Sequence, residues 1–267
     1  MRSLRFALLA GFVAAAPYPL LSTAYGEEAH HSPIAAAVAA PTRTPANVAR
    51  DRYRHPAETL TFFGVKPGDA VLEYSPGAGW YSEILGPLLS GRGTYYAAPP
   101  AGKPADAFAE RIAAAPARYG KVKIVALPPA DGAVAPGSVD AVLTFRNVHN
   151  MVMNNSAEDT FSRFYAMLKP GGILGVVDHR LPESRDSALE KTSGYLKVST
   201  VRRLAEQAGF VLEAESEINA NPKDDADHPK GVWTLPPTLA MGEQDRDTWI
   251  AIGESDRMTL RFRKPRG

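Results

Sequence analysis

The sequence predicts an α/β fold, a doubly wound sheet of about seven strands whose last strand runs antiparallel. Three observations lead there. The stretch Gly68-Asp69-Ala70-Val71-Leu72-Glu73-Tyr74-Ser75-Pro76-Gly77-Ala78-Gly79 reads as a turn, a short buried strand and a small-residue loop. Trp80–Leu89 then takes up helical apolar spacing, which completes the strand–loop–helix corner where such sheets bind ligands. From Ala70 onward, apolar β-prone runs alternate with helical patterns, which implies a parallel sheet with right-handed crossovers. The absence of a helix between the last two strand-like runs would allow the final strand to run antiparallel.

In order, strand one is Ala70–Tyr74 and the first crossover helix Gly79–Leu89. Thr94–Ala98 is strand two, Ala105–Ala115 an alanine-rich helix and Val122–Leu127 strand three. Val139–Phe145, the helix Ala157–Leu168 and Ile173–Asp178 follow as strand, helix and strand. Val198–Ala208 is a helix stopped by Gly209, a residue suited to a left-handed cap. Phe210–Glu217 and Met258–Arg263 alternate apolar and polar residues, as strands near a sheet edge do. Two stretches fit less well: the loop Pro128–Gly137, and the long insertion Asn219–Glu254, of a length that usually marks a binding loop.

Upstream, Val48–Phe63 is expected as a helix over the sheet edge, broken at Pro56. Residues 27–47, rich in Ala and Pro, read as a flexible lead-in with a short helix at Pro33–Ala40. Arg2, Arg5 and the apolar run Phe6–Ala16 form the first two parts of a secretory signal peptide over residues 1–26, with cleavage after Ala24 or Gly26. That predicts a periplasmic or secreted protein whose mature domain, 48–267, is single. Eleven apolar residues before Pro17 are too few to span a bilayer. There is no cysteine, which excludes disulfides, thiolate metal sites and lipoprotein anchoring. Formal net charge is +1, and −1 without residues 1–26, so nucleic acid and anionic membranes are not expected partners. A small-molecule ligand is expected instead, and the oligomeric state stays open.

Residues just past the strand ends are the site candidates. Strand one offers Glu73, Ser75, Gly77 and Gly79; strand four offers Arg146, His149 and Asn150; strand five offers Asp178, His179 and Arg180. A carboxylate at Glu73 repels pyrophosphate but suits a ligand bearing ammonium or hydroxyl groups. The competing reading is a helix cap or an ion pair. His149 suits a general base near neutral pH, or is a packed histidine. Asp178-His179-Arg180 is a site element or a turn with internal ion pairs. His149, His179 and Asp178 can be drawn as a metal site, and Asp224, Asp225 and His228 as a cation site or closing loop. No local spacing demands an ion at either, so no metal is assigned.

Glu73-Tyr74-Ser75-Pro76-Gly77-Ala78-Gly79 resembles motif I of the class I S-adenosylmethionine (SAM)-dependent methyltransferases, an acid followed by alternating glycines, with Ser75 in the first glycine slot. Tyr53-Arg54-His55-Pro56-Ala57-Glu58-Thr59-Leu60 together with that loop is similar to a group of exported bacterial proteins of this class, and the likeness runs from about Ile34 to the C-terminus. The resemblance implies a Rossmann-like sheet of class I methyltransferase type, SAM as cofactor, and Glu73, Ser75, Gly77 and Gly79 cradling its methionine part. Arg146, Asn150 and Asp178 would then contact the acceptor. His149 would take any proton the acceptor loses, with His179 and Tyr195 as second choices.

Two features depart from that pattern. The acid that usually binds both ribose hydroxyls falls at Ala98 or Pro99, and the acid expected near the adenine falls at Pro128, with Asp131 as a substitute. Two missing anchors cost roughly 1–3 kcal/mol each. A second reading is therefore a catalytically inactive, methyltransferase-like periplasmic binding protein using the Arg146/His149/Asp178/His179 rim. A nicotinamide oxidoreductase fits worse, with Ser82 in the last glycine slot, and no Gly-x-Ser-x-Gly elbow of a serine hydrolase exists.

Overall fold

The computed structural model describes residues 32–125 and 133–267. The expected signal peptide and Asp131 lie outside them. Seven strands form one sheet in the order β3-β2-β1-β4-β5-β8-β6. These are β1 (Ala70–Tyr74), β2 (Thr94–Ala98), β3 (Val122–Ile124), β4 (Val139–Phe145), β5 (Leu168–His179), β6 (Val211–Ser216) and β8 (Arg257–Arg263), while the short β7 (Pro229–Val232) stands apart. β3, β2, β1, β4 and β5 are parallel, and β8 runs antiparallel between β5 and β6. The chain order reverses beside β1, so β1 and β4 flank the point where such sheets bind ligands.

The helices are α1 (Pro33–Val38), α2 (Pro45–Val48), α3 (Asp51–Arg54), α4 (Pro56–Phe63), α5 (Ser82–Leu89), α6 (Lys103–Ala114), α7 (Pro116–Tyr119), α8 (Val148–Met153), α9 (Ala157–Met167), α10 (Val198–Gln207) and α11 (Arg246–Ile252). Strand alternation divides the core. Leu72, Val142, Leu174 and Val176 face α8, α9 and α10 through Val148, Phe161, Phe164 and Val201. Val71, Ala141, Leu143 and Val177 face α1, α4, α5 and α6 through Ile34, Phe63, Ile84 and Phe108. No helix among the described residues is long and apolar enough to cross a membrane.

Several expectations need correction. The lead-in is packed from Ser32 onward, with Ile34 and Ala37 buried and Thr44 bonded to the buried Glu83. The expected break of Val48–Phe63 at Pro56 is there, since Pro56 starts α4 and His55 before it is left-handed at φ 40°, but the piece upstream is only the short α3, with Val48 closing α2. α4 lies over the middle of the sheet, not its edge. A Cβ at Gly175 would stand 2.8 Å from Phe63 and Leu143, so only a glycine there lets Phe63 sit flat on β5. That seat fixes α3 and α4 above the carboxyl rim. β5 begins at Leu168, five residues early, and the Lys169-Pro170-Gly171-Gly172 turn is a bulge between the Val139–Leu168 and Ala141–Ile173 pairs. A short helix, α11, does lie between β6 and β8, but it is no crossover and β8 still reverses.

Candidate active site

The corner after β1 is held open by its neighbours. Ser75 N–H donates to the Ala98 carbonyl at 2.9 Å, and Asn147 Nδ2 donates to the Tyr74 and Ser75 carbonyls at 3.2 Å. Ser75 sits at φ 50° in the slot that motif I gives to glycine, and Gly77 follows at φ 59°. A Cβ on Gly77 would meet nothing within 4 Å, whereas one on Gly79 would press on Tyr119 at 3.3 Å. Gly77 is thus the point of close approach, and Gly79 packs. Beside this loop lies a cleft of about 530 Å³ lined by Tyr74, Ser75, Pro100, Asn147, Asn150 and Met151 among others, a size that suits a nucleoside-bearing ligand.

Glu73 points away from that cleft. It alternates onto the opposite face, under the N-terminus of α5, where the Tyr95 hydroxyl and Ser82 Oγ, the latter at 3.0 Å, both donate to its Oε2. Burial pushes its carboxyl up to about 7, against the two donors that favour the anion. The folded state therefore holds this proton more tightly than the unfolded chain. Its stabilising share is complete below pH ~4.5 and is lost as pH rises towards 7, by about 3 kcal/mol. Glu73→Gln is expected to flatten the stability profile over that window and to exceed the parent in stability at pH 8. Urea unfolding at pH 5 and pH 8 checks this; a less stable variant at pH 8 would show that the donors, not burial, govern Glu73.

The residues past β4 and β5 meet as expected, but buried. Asp178 Oδ1 accepts His149 Nδ1 and the His179 N–H, both at 2.8 Å, and its Oδ2 accepts the His149 N–H at 3.1 Å. His179 Nδ1 lies 2.5 Å from Ser255 Oγ, and the two imidazoles stand 5.1 Å apart. Burial, and next the neighbouring His149 and Arg146, hold His179 well below the usual histidine range, so it stays neutral near pH 7. The same three side chains are close enough to hold an ion, yet the Asp178 oxygens are already occupied by N–H donors. The insertion covers this group: Trp233 lies edge-on to His149 at 6.3 Å. Tyr195 is fully buried, and its hydroxyl donates to Asp224, which also accepts from His228 at 2.7 Å. Asn150 is separated from them, exposed on the Ser75 side of the rim.

Arg146 turns at φ 61° as β4 ends, its N–H donating to the Val177 carbonyl at 2.7 Å. Sequence reasoning paired it with His149. The structure adds companions from distant segments: Arg54, Tyr81, Asn219 and Arg257 share a recess with it. Tyr81 stacks on Phe145 at 3.6 Å to form its wall. Glu254 accepts from Arg50 Nε at 2.6 Å, Arg54 Nε at 3.2 Å and the Arg257 guanidinium. Arg50 and Arg54 fall in the stretch expected as the helix Val48–Phe63, and nothing in their spacing points to partners some 200 residues away.

This architecture is shared with solved proteins. A SAM-dependent methyltransferase from Aquifex aeolicus superposes with a TM-score of 0.57 at 16% identity, over 81% of this chain and 93% of that one. A protein from Galdieria sulphuraria, described as a candidate sarcosine dimethylglycine methyltransferase, gives 0.57 at 16% identity, over 83% and 87%. The [4+2]-cyclase SpnF gives 0.52 at 16% identity, over 80% and 82%. No protein-family model matches the chain, and no curated protein matches it in sequence. The fold is that of the class I SAM-dependent methyltransferases, with strand order and reversed penultimate-position strand alike.

Proposed function

We propose that this chain is an exported SAM-dependent methyltransferase acting on a small molecule, with His149 accepting the proton that the acceptor loses. The observation that carries the reading is the Asp178–His149 pair, at the carboxyl ends of β5 and β4, on the same rim as an open glycine corner. Asp178 Oδ1 accepts a hydrogen bond from Nδ1–H, which fixes the tautomer and leaves Nε2 as the basic atom. The carboxylate then stabilises the imidazolium once Nε2 is protonated. Burial beneath Trp233 excludes water from that transfer.

The residues present fit the methionine end of SAM, since Gly77 leaves room for close backbone approach and Ser75 and Asn147 border the cleft. When bound, SAM supplies an activated sulfonium methyl, so the protein's share is positioning and one proton. The ribose end has no acid at Ala98 or Pro99 to receive it. Export rests on Arg2, Arg5 and Phe6–Ala16.

Isothermal titration of the mature chain with S-adenosylhomocysteine tests the reading. Binding in the micromolar range is expected, and Gly77→Val should weaken it by more than about tenfold. A side chain there fills the ligand's space, while the left-handed backbone costs about 1–3 kcal/mol of stability. The cyclase neighbour shows that the fold serves other chemistry. If the parent chain does not bind S-adenosylhomocysteine, the inactive binding-protein reading takes its place.

A further inference from the structure

The rim past β4 carries more positive charge than it can neutralise internally. Arg50, Arg54 and Arg257 share one carboxylate, Glu254, and Arg146 makes no hydrogen bond or ion pair through its side chain among the described residues. After Glu254, Asp178 is the acid whose charge acts most on Arg146, and its oxygens are taken by His149 and His179. Arg54 is 6% exposed and Arg257 2%, yet Arg54 Nη2, Arg257 Nε and Arg50 Nη2 are buried without a partner. A buried guanidinium N–H left unpaired is costly, and such orphans in one place point to something that accepts from them. Burial and next the Arg257 charge push Arg146 down to about 10, and burial and next the Arg146 charge depress Arg54 in the same direction.

The recess between Arg54, Arg146 and Arg257 holds about 10 Å³, room for one oxygen atom, with Phe145 and Tyr81 as an apolar wall. Three arginines lining one oxygen-sized hole supply the donors that carboxylates and phosphates pair with.

We propose that the Arg54/Arg146/Arg257 recess is a subsite for the carboxylate or phosphate of a small-molecule ligand, one oxygen entering it and Arg146 closing over the others. On the methyltransferase reading, on which the ligand's identity as acceptor rests, the enzyme methylates an anionic small molecule. The subsite lies on the same rim as the His149–Asp178 pair, so an acceptor anchored here by its charge presents its remaining atoms to the base.

The experiment uses the mature chain and Arg146→Gln, with inorganic phosphate and acetate as probes and thermal melting and titration as readouts. The Arg146 side chain donates to no protein acceptor among the described residues, so the variant should melt no lower than the parent without ligand. Phosphate or acetate should raise the parent's melting temperature saturably, and the variant should lose affinity by at least about tenfold. Affinity for S-adenosylhomocysteine should stay within about twofold in the variant. Failure of both anions to bind the parent overturns the subsite, whether or not S-adenosylhomocysteine binds. A loss of S-adenosylhomocysteine affinity in Arg146→Gln, with 5′-methylthioadenosine unaffected, would assign the recess to the cofactor's own carboxylate and overturn the acceptor assignment. Anion binding lost in Arg146→Gln, in a chain that ignores S-adenosylhomocysteine, supports the subsite and removes the methyltransferase reading instead.

Discussion

Replacing His149 by glutamine is expected to lower turnover by about 10²–10⁴-fold while reducing stability by only about 1–3 kcal/mol. Glutamine can still offer an N–H to Asp178 Oδ1, so the buried carboxylate keeps a donor, and its bonds to the His149 and His179 backbone N–H groups are untouched. What disappears is the basic Nε2. Because His149 is only 4% exposed, some loss of stability is unavoidable, more than a residue on an open cleft wall would cause. A rate that loses the pH dependence seen in the parent marks loss of the base. A glutamine variant that keeps its rate and pH profile would make His149 a packing residue that orients Asp178, and the proton acceptor would have to be sought elsewhere.

The fold was legible because its signals are local. The apolar run of β1, the glycine corner and the alternation that follows are each read within a dozen residues, and β1, β2 and β4 have the bounds that the pattern gave. Local reading also placed Arg146, His149, Asp178 and His179 on one rim, since strand ends in a parallel sheet share a side. It failed where packing depends on distant partners. Glu73 stands at the motif I position yet faces Tyr95 and Ser82, because alternation along β1 puts residues 71 and 73 on the same face. The lead-in was read as flexible from its Ala and Pro content, but Ile34 and Ala37 find an apolar surface that only the assembled sheet provides. The arginine recess joins α3, the end of β4 and the start of β8, and no window of sequence contains all three.

That recess sets the other large effect. Glu254→Gln is expected to cost about 3–5 kcal/mol at pH 7, since it leaves Arg54 and Arg257 buried without their counter-charge. Burial alone would raise the Glu254 carboxyl, but Arg257, Arg54 and Arg50 overcome it and hold the group at about 2. Because the folded value lies below the unfolded one, the stabilisation is complete above pH ~4.5 and is lost as pH falls towards 2. The shift corresponds to about 3 kcal/mol, in line with the cost of removing the partner. The gap between parent and variant should therefore be full at pH 7, shrink below pH ~4.5 and close near pH 2. Glu254 gains from this arrangement while Arg54 does not, because burial disfavours the Arg54 charge first, and the repulsion of Arg146, Arg257 and Arg50 outweighs what its share of one carboxylate returns. A bound oxyanion relieves that repulsion, so phosphate should restore more stability to Glu254→Gln than it adds to the parent. Denaturant unfolding from pH 3 to pH 7, with and without phosphate, measures both terms. A gap independent of pH would trace the loss to packing rather than charge, whereas equal phosphate effects in the two proteins would show that no anion enters beside Glu254.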